Sequence, residues 1–347
     1  MALTETYDDN VFALPTDTRQ DMVSRLTPRL GVAYLAPRFD LRARYTRDAE
    51  RFSRNRELST LRARQEAGLD LRWSPGGRFE AEGSATYAET HSPGEFTVIT
   101  GLDVAGRDLT GLELRRALAN RFSTTGSLSY RMGARTRAVV AHVFTQDEIV
   151  GGPTSVTQMA AASLERQIGP VDTLGLAYGL RQFTALGDRS RSHAVTFKWA
   201  REVSRQAHIE LRAGPRLSGR TVAPELEATL RHRFRRGDAA VSYVQTETAI
   251  IGRPKPLTAE GLSATFNRVL SRTLRVEAGP SVLRARGKSL EATVYGTRLE
   301  LTWRLNRRLS LGVSHQLSVQ HGRLDGQDRG EIVHNTALLR LVAHAIH

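Results

Sequence analysis

The sequence predicts an all-β chain: a single transmembrane antiparallel β-barrel of about eighteen strands, with sixteen as the alternative. Three observations point there. Apolar and polar residues alternate with a period of two in segment after segment. Aromatic rings gather at the ends of those segments, and short connections take turns with longer ones. Both termini are expected on the periplasmic side. Residues 1–21 read as a polar periplasmic lead-in with room for a first strand, and 22–347 as the barrel.

The stretch from Thr60 to Tyr87 shows the pattern best. Leu61, Ala63, Gln65, Ala67, Leu69, Leu71 and Trp73 alternate with Arg62, Arg64, Glu66, Gly68, Asp70 and Arg72. After Ser-Pro-Gly-Gly, Phe79, Ala81, Ala85 and Tyr87 alternate with Glu80, Glu82, Ser84 and Thr86. A helix would scatter these charges around its axis, so the stretch is a hairpin with two unlike faces. The apolar face is edged by Trp73 and Phe79 beside the turn and by Tyr87 at the far end. That is how a strand meets a bilayer. The charged face would be ruinous in a soluble sandwich core.

Taken in order, the first pair is Ser24–Ala36 and Arg38–Arg47, with Phe39, Leu41, Ala43 and Tyr45 opposed to Asp40, Arg42, Arg44 and Thr46. The hairpin just described follows a polar loop. Next come segments Leu109–Ala119, Phe122–Met132, Thr136–Gln146 and Ser155–Arg166. In Asp172–Phe183, Leu174, Leu176, Tyr178 and Leu180 share a face, as do Val195, Phe197 and Trp199 in Ser190–Ala200. Ala207–Arg216, Pro224–Phe234, Asp238–Glu247, Leu257–Arg268, Arg272–Leu283 and Thr293–Arg304 repeat the scheme, and Leu309–Ser318 and Thr336–Ile346 close the chain.

Short connections are expected at Pro37, Ser74–Gly77, Asn120, Gln167–Pro170, Arg201–Val203, Arg235–Gly237, Val269–Ser271 and Leu305–Asn306. Longer ones are expected at Asp48–Ser59, Glu89–Asp108, Thr184–Asp188, Ile250–Pro256, Arg284–Ala292 and Val319–Val333. Short periplasmic turns alternating with longer external loops are an outer-membrane signature. The alternation slips once, between Gly133 and Thr154, and is restored if Phe122–Gln146 is one long strand and a further strand lies near the N-terminus. Phe39, Trp73, Phe79, Phe122, Trp199, Phe234 and Trp303 fall beside short turns and form the expected membrane girdle. Tyr45, Tyr87, Tyr130 and Tyr178 fall towards the opposite ends.

Composition narrows the classes. No run of about eighteen apolar residues exists, so helical membrane spans are excluded. There is no cysteine, hence neither a disulfide nor a thiolate site. The net charge is +14, carried by arginine except at Lys198, Lys255 and Lys288, which points towards polyanions. The opening MALTETYDDNVF lacks a basic n-region and an apolar h-region, so the sequence reads as an exported, mature form.

The segment Thr4–Asn10, Thr-Glu-Thr-Tyr-Asp-Asp-Asn, followed by amphipathic strands, resembles the β-barrel porins associated with exopolysaccharide export and PEP-CTERM systems. By architecture the chain also looks like alginate-type polysaccharide exporters. The resemblance implies an outer-membrane conduit, with a periplasmic polysaccharide export protein as a partner. The chain departs from barrels that end on an aromatic residue, closing Ala345-Ile346-His347.

If the apolar faces meet lipid and lipopolysaccharide, the alternate residues line a wet lumen. The predicted lumenal, ligand-facing arginines are Arg38, Arg42, Arg44, Arg62, Arg64, Arg72, Arg115, Arg181, Arg212, Arg231, Arg233, Arg275, Arg298 and Arg304. Acids are interleaved, so most are expected to form cross-strand ladders. The cluster Arg42, Arg44, Arg62 and Arg64, with few acids alongside, is expected to face a ligand such as an anionic polysaccharide. Rings of arginine select anions in pores.

The histidines lack metal-ligand spacing, and GxSxG and phosphate-loop motifs are absent, so neither a metal, a cofactor nor an enzyme is expected. Arginines spread over every inner face without aromatic stacking platforms argue against nucleic acid. The leading expectation is a passive conduit for an acidic exopolysaccharide. The alternatives are an anion-selective diffusion porin and a structural barrel partner of an export complex.

Overall fold

The computed structural model describes residues 1–93, 114, 116–250, 255–287, 290–324 and 327–343. Nineteen strands form one antiparallel sheet that closes on itself. They are β1 (Ala2–Asp8), β2 (Asp21–Thr27), β3 (Arg29–Ala36), β4 (Phe39–Phe52), β5 (Thr60–Gly76) and β6 (Phe79–Thr90). Then come β7 (Ala119–Arg131), β8 (Thr136–Ile149), β9 (Thr154–Gln167), β10 (Asp172–Ala185), β11 (Asp188–Glu202), β12 (Ala207–Ser218) and β13 (Thr221–Phe234). The last are β14 (Gly237–Thr248), β15 (Leu257–Val269), β16 (Leu274–Arg286), β17 (Leu290–Arg304), β18 (Leu309–Leu324) and β19 (Gln327–Ala343).

Both β2 and β3 pair with β4 and are two halves of one stave. Pro28 lies between them, and its missing N–H interrupts the ladder. The wall is therefore an eighteen-strand barrel. It closes where β1 pairs with β19 on one side and with β2 on the other. Because Ala2 stands opposite Thr27, β3 runs on beyond β1. Among the described residues, β3 pairs only with β4, and Val32 is 74% exposed.

A strand of about fourteen residues is roughly 46 Å long. Tilted by about 45°, it spans roughly 33 Å, a little more than a hydrocarbon core. The connections at one end are all short: 37–38, 77–78, 132–135, 168–171, 203–206, 235–236, 270–273 and 305–308. Met1 and Ala343 lie side by side at this end, with the Ala343 N–H donating to the Met1 carbonyl at 3.0 Å. The longer connections, 9–20, 53–59, 91–118 and 249–256, are all at the other end.

Four expectations need correction. No short turn exists at Asn120, which lies within β7 between Glu89 and Glu148. The strand expected over Leu109–Ala119 is not formed by its described residues Leu114 and 116–118, while 109–113 and Arg115 lie outside the described residues. Phe122–Gln146 is not one long strand, because it turns at 132–135. Removing the false turn at Asn120 restores the loop alternation without that repair. Finally, the long loop expected over Val319–Val333 is mostly strand, since β18 runs to Leu324 and β19 starts at Gln327. The two strands pair almost to their tips, Leu324 standing opposite Gln327.

The count of eighteen thus holds through two compensating changes. The described residues Leu114 and 116–118 add no strand, and β1 joins the wall. Similar strand extension shrinks the expected loop at Thr184–Asp188 to Leu186–Gly187. There two successive positive φ values, 52° and 82°, build a tight turn that matches strand twist. Of the expected loop Ile250–Pro256, residues 251–254 lie outside the described residues.

Loop 53–59 is held by one carboxylate. Buried Asp21 accepts from the backbone N–H groups of Met22, Ser53, Arg54 and Asn55, from the Ser53 hydroxyl at 2.7 Å and from the Asn55 amide at 2.8 Å.

Candidate functional site: an arginine-lined lumen

Strand parity divides the wall into two surfaces. Leu41, Leu71, Leu176, Leu211, Leu230, Leu262, Leu299 and Leu339 all fall on the outer parity, and all except Leu41 are among the exposed large hydrophobic side chains. At the short-turn end this band is bordered by rings in contact. Trp73 meets Phe79 edge-on at 5.7 Å, and Phe234 stacks on Phe266 at 5.7 Å. The Trp199 indole donates to Asp172 at 3.1 Å, an apolar body with an anchored polar tip. Phe39 and Trp303 lie on the same border, at the start of β4 and the end of β17.

Phe122 does not. It lies near the long-loop end of β7, against Phe144 at 6.2 Å, whereas Tyr130 sits at the short-turn end. The misplaced turn at Asn120 had inverted this strand.

The inner surface is charged, and its charges are largely paired. Arg42 bonds Asp40 at 2.7 Å. Arg44 bonds Asp70 and lies 3.5 Å from Glu66. Arg64 reaches Glu66 at 3.2 Å, whereas Arg62 reaches Glu89 at 2.7 Å on the outward parity of Tyr87, so Arg62 does not belong to the lumenal set. The expectation of an acid-poor cluster at these four arginines therefore fails. Glu89 comes from the next strand, and Asp70 and Glu66 each lie diagonally across the pairing, contacts that sequence adjacency does not show.

Gly68 helps here, because a Cβ at that position would fall 2.7 Å from the Arg44 guanidinium carbon. The bare backbone lets Arg44 lie flat across β5.

Further round, Arg72 bonds Glu80 at 2.7 Å, Arg298 bonds Glu300 at 2.7 Å, and Arg275 lies 3.9 Å from Glu277. Arg212 lies 3.8 Å from Glu227, and Arg304 donates to the Arg272 carbonyl at 2.8 Å. Arg38 is in the turn at 37–38 rather than in the wall, and Arg115 lies outside the described residues. Arg231 and Arg233 stand on the inner face of β13.

The most buried charges form a knot. Glu225 accepts from Arg181 at 2.6 Å, from Arg216 at 2.8 Å and from the Thr246 hydroxyl at 2.7 Å. Both arginines are 2% exposed. The partners come from β10, β12, β13 and β14, so the wall bends tightly enough for side chains to bridge across it.

The long-loop mouth is not wholly polar. Leu257, Ala259, Leu283, Ala285, Ala292 and Val294 are buried on inner faces, covered by Ile250 and packed by Leu114. Leu114 also packs against Ala88 and Ala119 on a different sector of wall. Beside it Arg116 lies over the Phe52 ring at 5.1 Å and 3.5 Å from Glu50, which also accepts from Arg25 at 2.8 Å. The described residues of the 91–118 connection thus reach into the lumen and narrow it. A cavity of roughly 730 Å³ remains, bordered by Arg25, Glu50, Arg116, Glu277, Arg298 and His334.

No family model matches the chain, and no curated protein does. Among solved structures, a mutant of the ferric enterobactin receptor PfeA from Pseudomonas aeruginosa is 9% identical over 99% of this chain and 80% of its own, with a TM-score of 0.49. OpdL from Pseudomonas aeruginosa is 8% identical over 98% of this chain and 97% of its own, with a TM-score of 0.50. At such identities the likeness is one of fold. The closed even-stranded wall, its outward apolar band and its aromatic border decide where that fold resides. The chain is a bacterial outer-membrane β-barrel.

Several residues of the barrel's inner network escaped sequence reading. Arg216 shares the parity of Arg212 and needed only the alternation carried past Pro215. Arg121, paired with Asp147 at 2.8 Å, was hidden by the false turn at Asn120. Arg340, which bonds Glu300 at 2.9 Å, sat in a strand whose inner face was not read. Arg116 shares the parity of Leu114 and Leu118, so the alternation pointed it outward, whereas it lies outside any strand.

Proposed function

We propose that this barrel is a passive outer-membrane conduit for an acidic exopolysaccharide, with the short turns and both described chain ends on the periplasmic side. The observation that carries the reading is a lumen in which guanidinium groups stand on strand after strand, interleaved with acids that pair with many of them. A moving polyanion can exchange one fork for the next along the wall. Existing ion pairs suit this role. They hold the arginines extended and lower the affinity at each step, and conduction needs sites that are weak and multiple. The resemblance of Thr4–Asn10 to export-associated porins supports the same reading. A periplasmic polysaccharide export protein is the partner it implies, and lipopolysaccharide is the outer lipid.

A second reading, an anion-selective diffusion porin, is favoured by one feature. Leu114 and Arg116 narrow the long-loop mouth, which suits small solutes better than a polymer. Deleting the gene and measuring surface polymer beside small-anion uptake separates the two. Export predicts lost surface polymer with normal uptake. Retained polymer with impaired uptake would replace the conduit by the porin.

A further inference from the structure

Inside the short-turn mouth lies a pocket of roughly 300 Å³ bordered by Glu202, Arg205, Gln206, Ala207, His208, Glu210, Thr229, Arg231 and Arg233. It differs from the rest of the lumen in how its charges are committed. Arg231 and Arg233 alternate on β13, so both project from the inner face about 7 Å apart. Both are exposed, and among the described residues neither guanidinium has an ion pair or hydrogen-bond partner. Asp238 stands opposite Arg233 across the ladder to β14 without pairing to it, and Arg231 faces His208 on β12 and Ala240 on β14. Arg205, in the turn below, is likewise exposed.

The acids of the pocket are occupied. Glu202 meets the His208 ring at 3.0 Å, and Glu210 lies 3.5 Å from Lys198 and 3.9 Å from His208. Three arginines against two engaged carboxylates leave a formal surplus of one positive charge, before histidine, in a recess open to the mouth.

We propose that this pocket docks a carboxylate on a polyhydroxylated ligand, a sugar acid, with Arg231 and Arg233 as its forks. A guanidinium fork matches the two oxygens of a carboxylate. Glu202, Glu210, Gln206 and Thr229 supply acceptors and donors at hydroxyl positions. The two carboxylates would repel a doubly charged phosphate, so the recess selects a monoanion. The proposal deepens the conduit reading and rests on it for the ligand's source, either the end of an acidic polymer or a free sugar acid.

The test is calorimetric titration of the detergent-solubilised barrel with galacturonate, with an oligogalacturonate and with neutral galactose. Both uronates should bind and galactose should not. Arg231→Gln combined with Arg233→Gln should weaken uronate binding at least tenfold, and the corresponding Lys substitutions should restore only part of it. Because both side chains are exposed, the variants should keep the wild-type thermal transition. Tighter binding of the oligomer than of the monomer identifies the polymer as the source, and equal binding identifies the free sugar acid.

Equal binding of galactose, or wild-type titration by the Gln variant, overturns the pocket. Bilayer recording keeps the two ideas apart. A barrel that passes oligogalacturonate but titrates unchanged without the two arginines loses the pocket and keeps the conduit. One that binds uronate through them yet carries no current keeps the pocket and loses the conduit.

Discussion

Glu225 sits between two guanidinium groups that water does not reach, and this makes it the most consequential single carboxylate in the wall. An ion pair buried to this degree does not by itself prove net stabilisation, because desolvation offsets much of the attraction. Removing one member is another matter, since uncompensated charge stays behind. Glu225→Ala is expected to cost about 3–5 kcal/mol, read as a lowered thermal unfolding transition in detergent. By contrast, Arg42→Ala removes an exposed pair with Asp40 and should cost about 1 kcal/mol or less. A Glu225→Ala barrel as stable as wild type would show that the knot is not a structural centre. The two arginines were separable by sequence only in part. Parity put Arg181 inside, but nothing in the spacing of Arg181, Arg216 and Glu225 announces that they meet, since three turns separate β10 from β13.

At the scale of elements, the residues that carry the resemblance to export porins turn out to close the ring. Asn10 is buried, and its amide donates to the carbonyls of Leu14 at 2.8 Å and Val333 at 3.0 Å. Its side-chain oxygen accepts the Leu14 N–H at 3.0 Å. Asp8 meets His334 at 3.1 Å, and Asp9 accepts the Asn335 N–H at 2.7 Å. Together they staple the end of β1 to β19, the one seam that joins the first strand of the chain to the last. Asn10→Ala should leave three backbone groups unsatisfied and fray that seam. Hydrogen exchange should then quicken in β1 and β19 while amides of β10–β13 keep their protection. Uniform loss of protection would mean that the seam is not a local unit.

The same scale shows why the sequence misread 109–120. Leu114 and Leu118 mimic an outward row by spacing alone. Leu114 is instead apolar because it packs inside the mouth, against the inner faces of β15–β17. A period of two does not say which partner the apolar row will find.

For the whole molecule, the fold was legible because a barrel repeats one decision many times. Each strand of a lipid-facing wall must put grease outward and tolerate charge inward, so a few ambiguous segments are outvoted by the rest. Strand number survived two local errors for that reason. What repetition cannot encode is the third dimension of the lumen: how tightly the wall bends at β10–β14, which acid each arginine reaches, and which connection turns inward. Those depend on curvature and on residues outside the strands such as Arg116 and Ile250.

The account stands on the wall having a dry outer face and a wet inner one. The absence of cysteine makes a direct reading possible. Single cysteines placed at positions 66, 67, 69, 70, 71 and 72 of β5, in the barrel reconstituted into lipid, can be challenged with a charged, water-soluble thiol reagent. Labelling is expected to alternate, fast at positions 66, 70 and 72 and protected at 67, 69 and 71. Uniform labelling, or protection at the even positions instead, would contradict it.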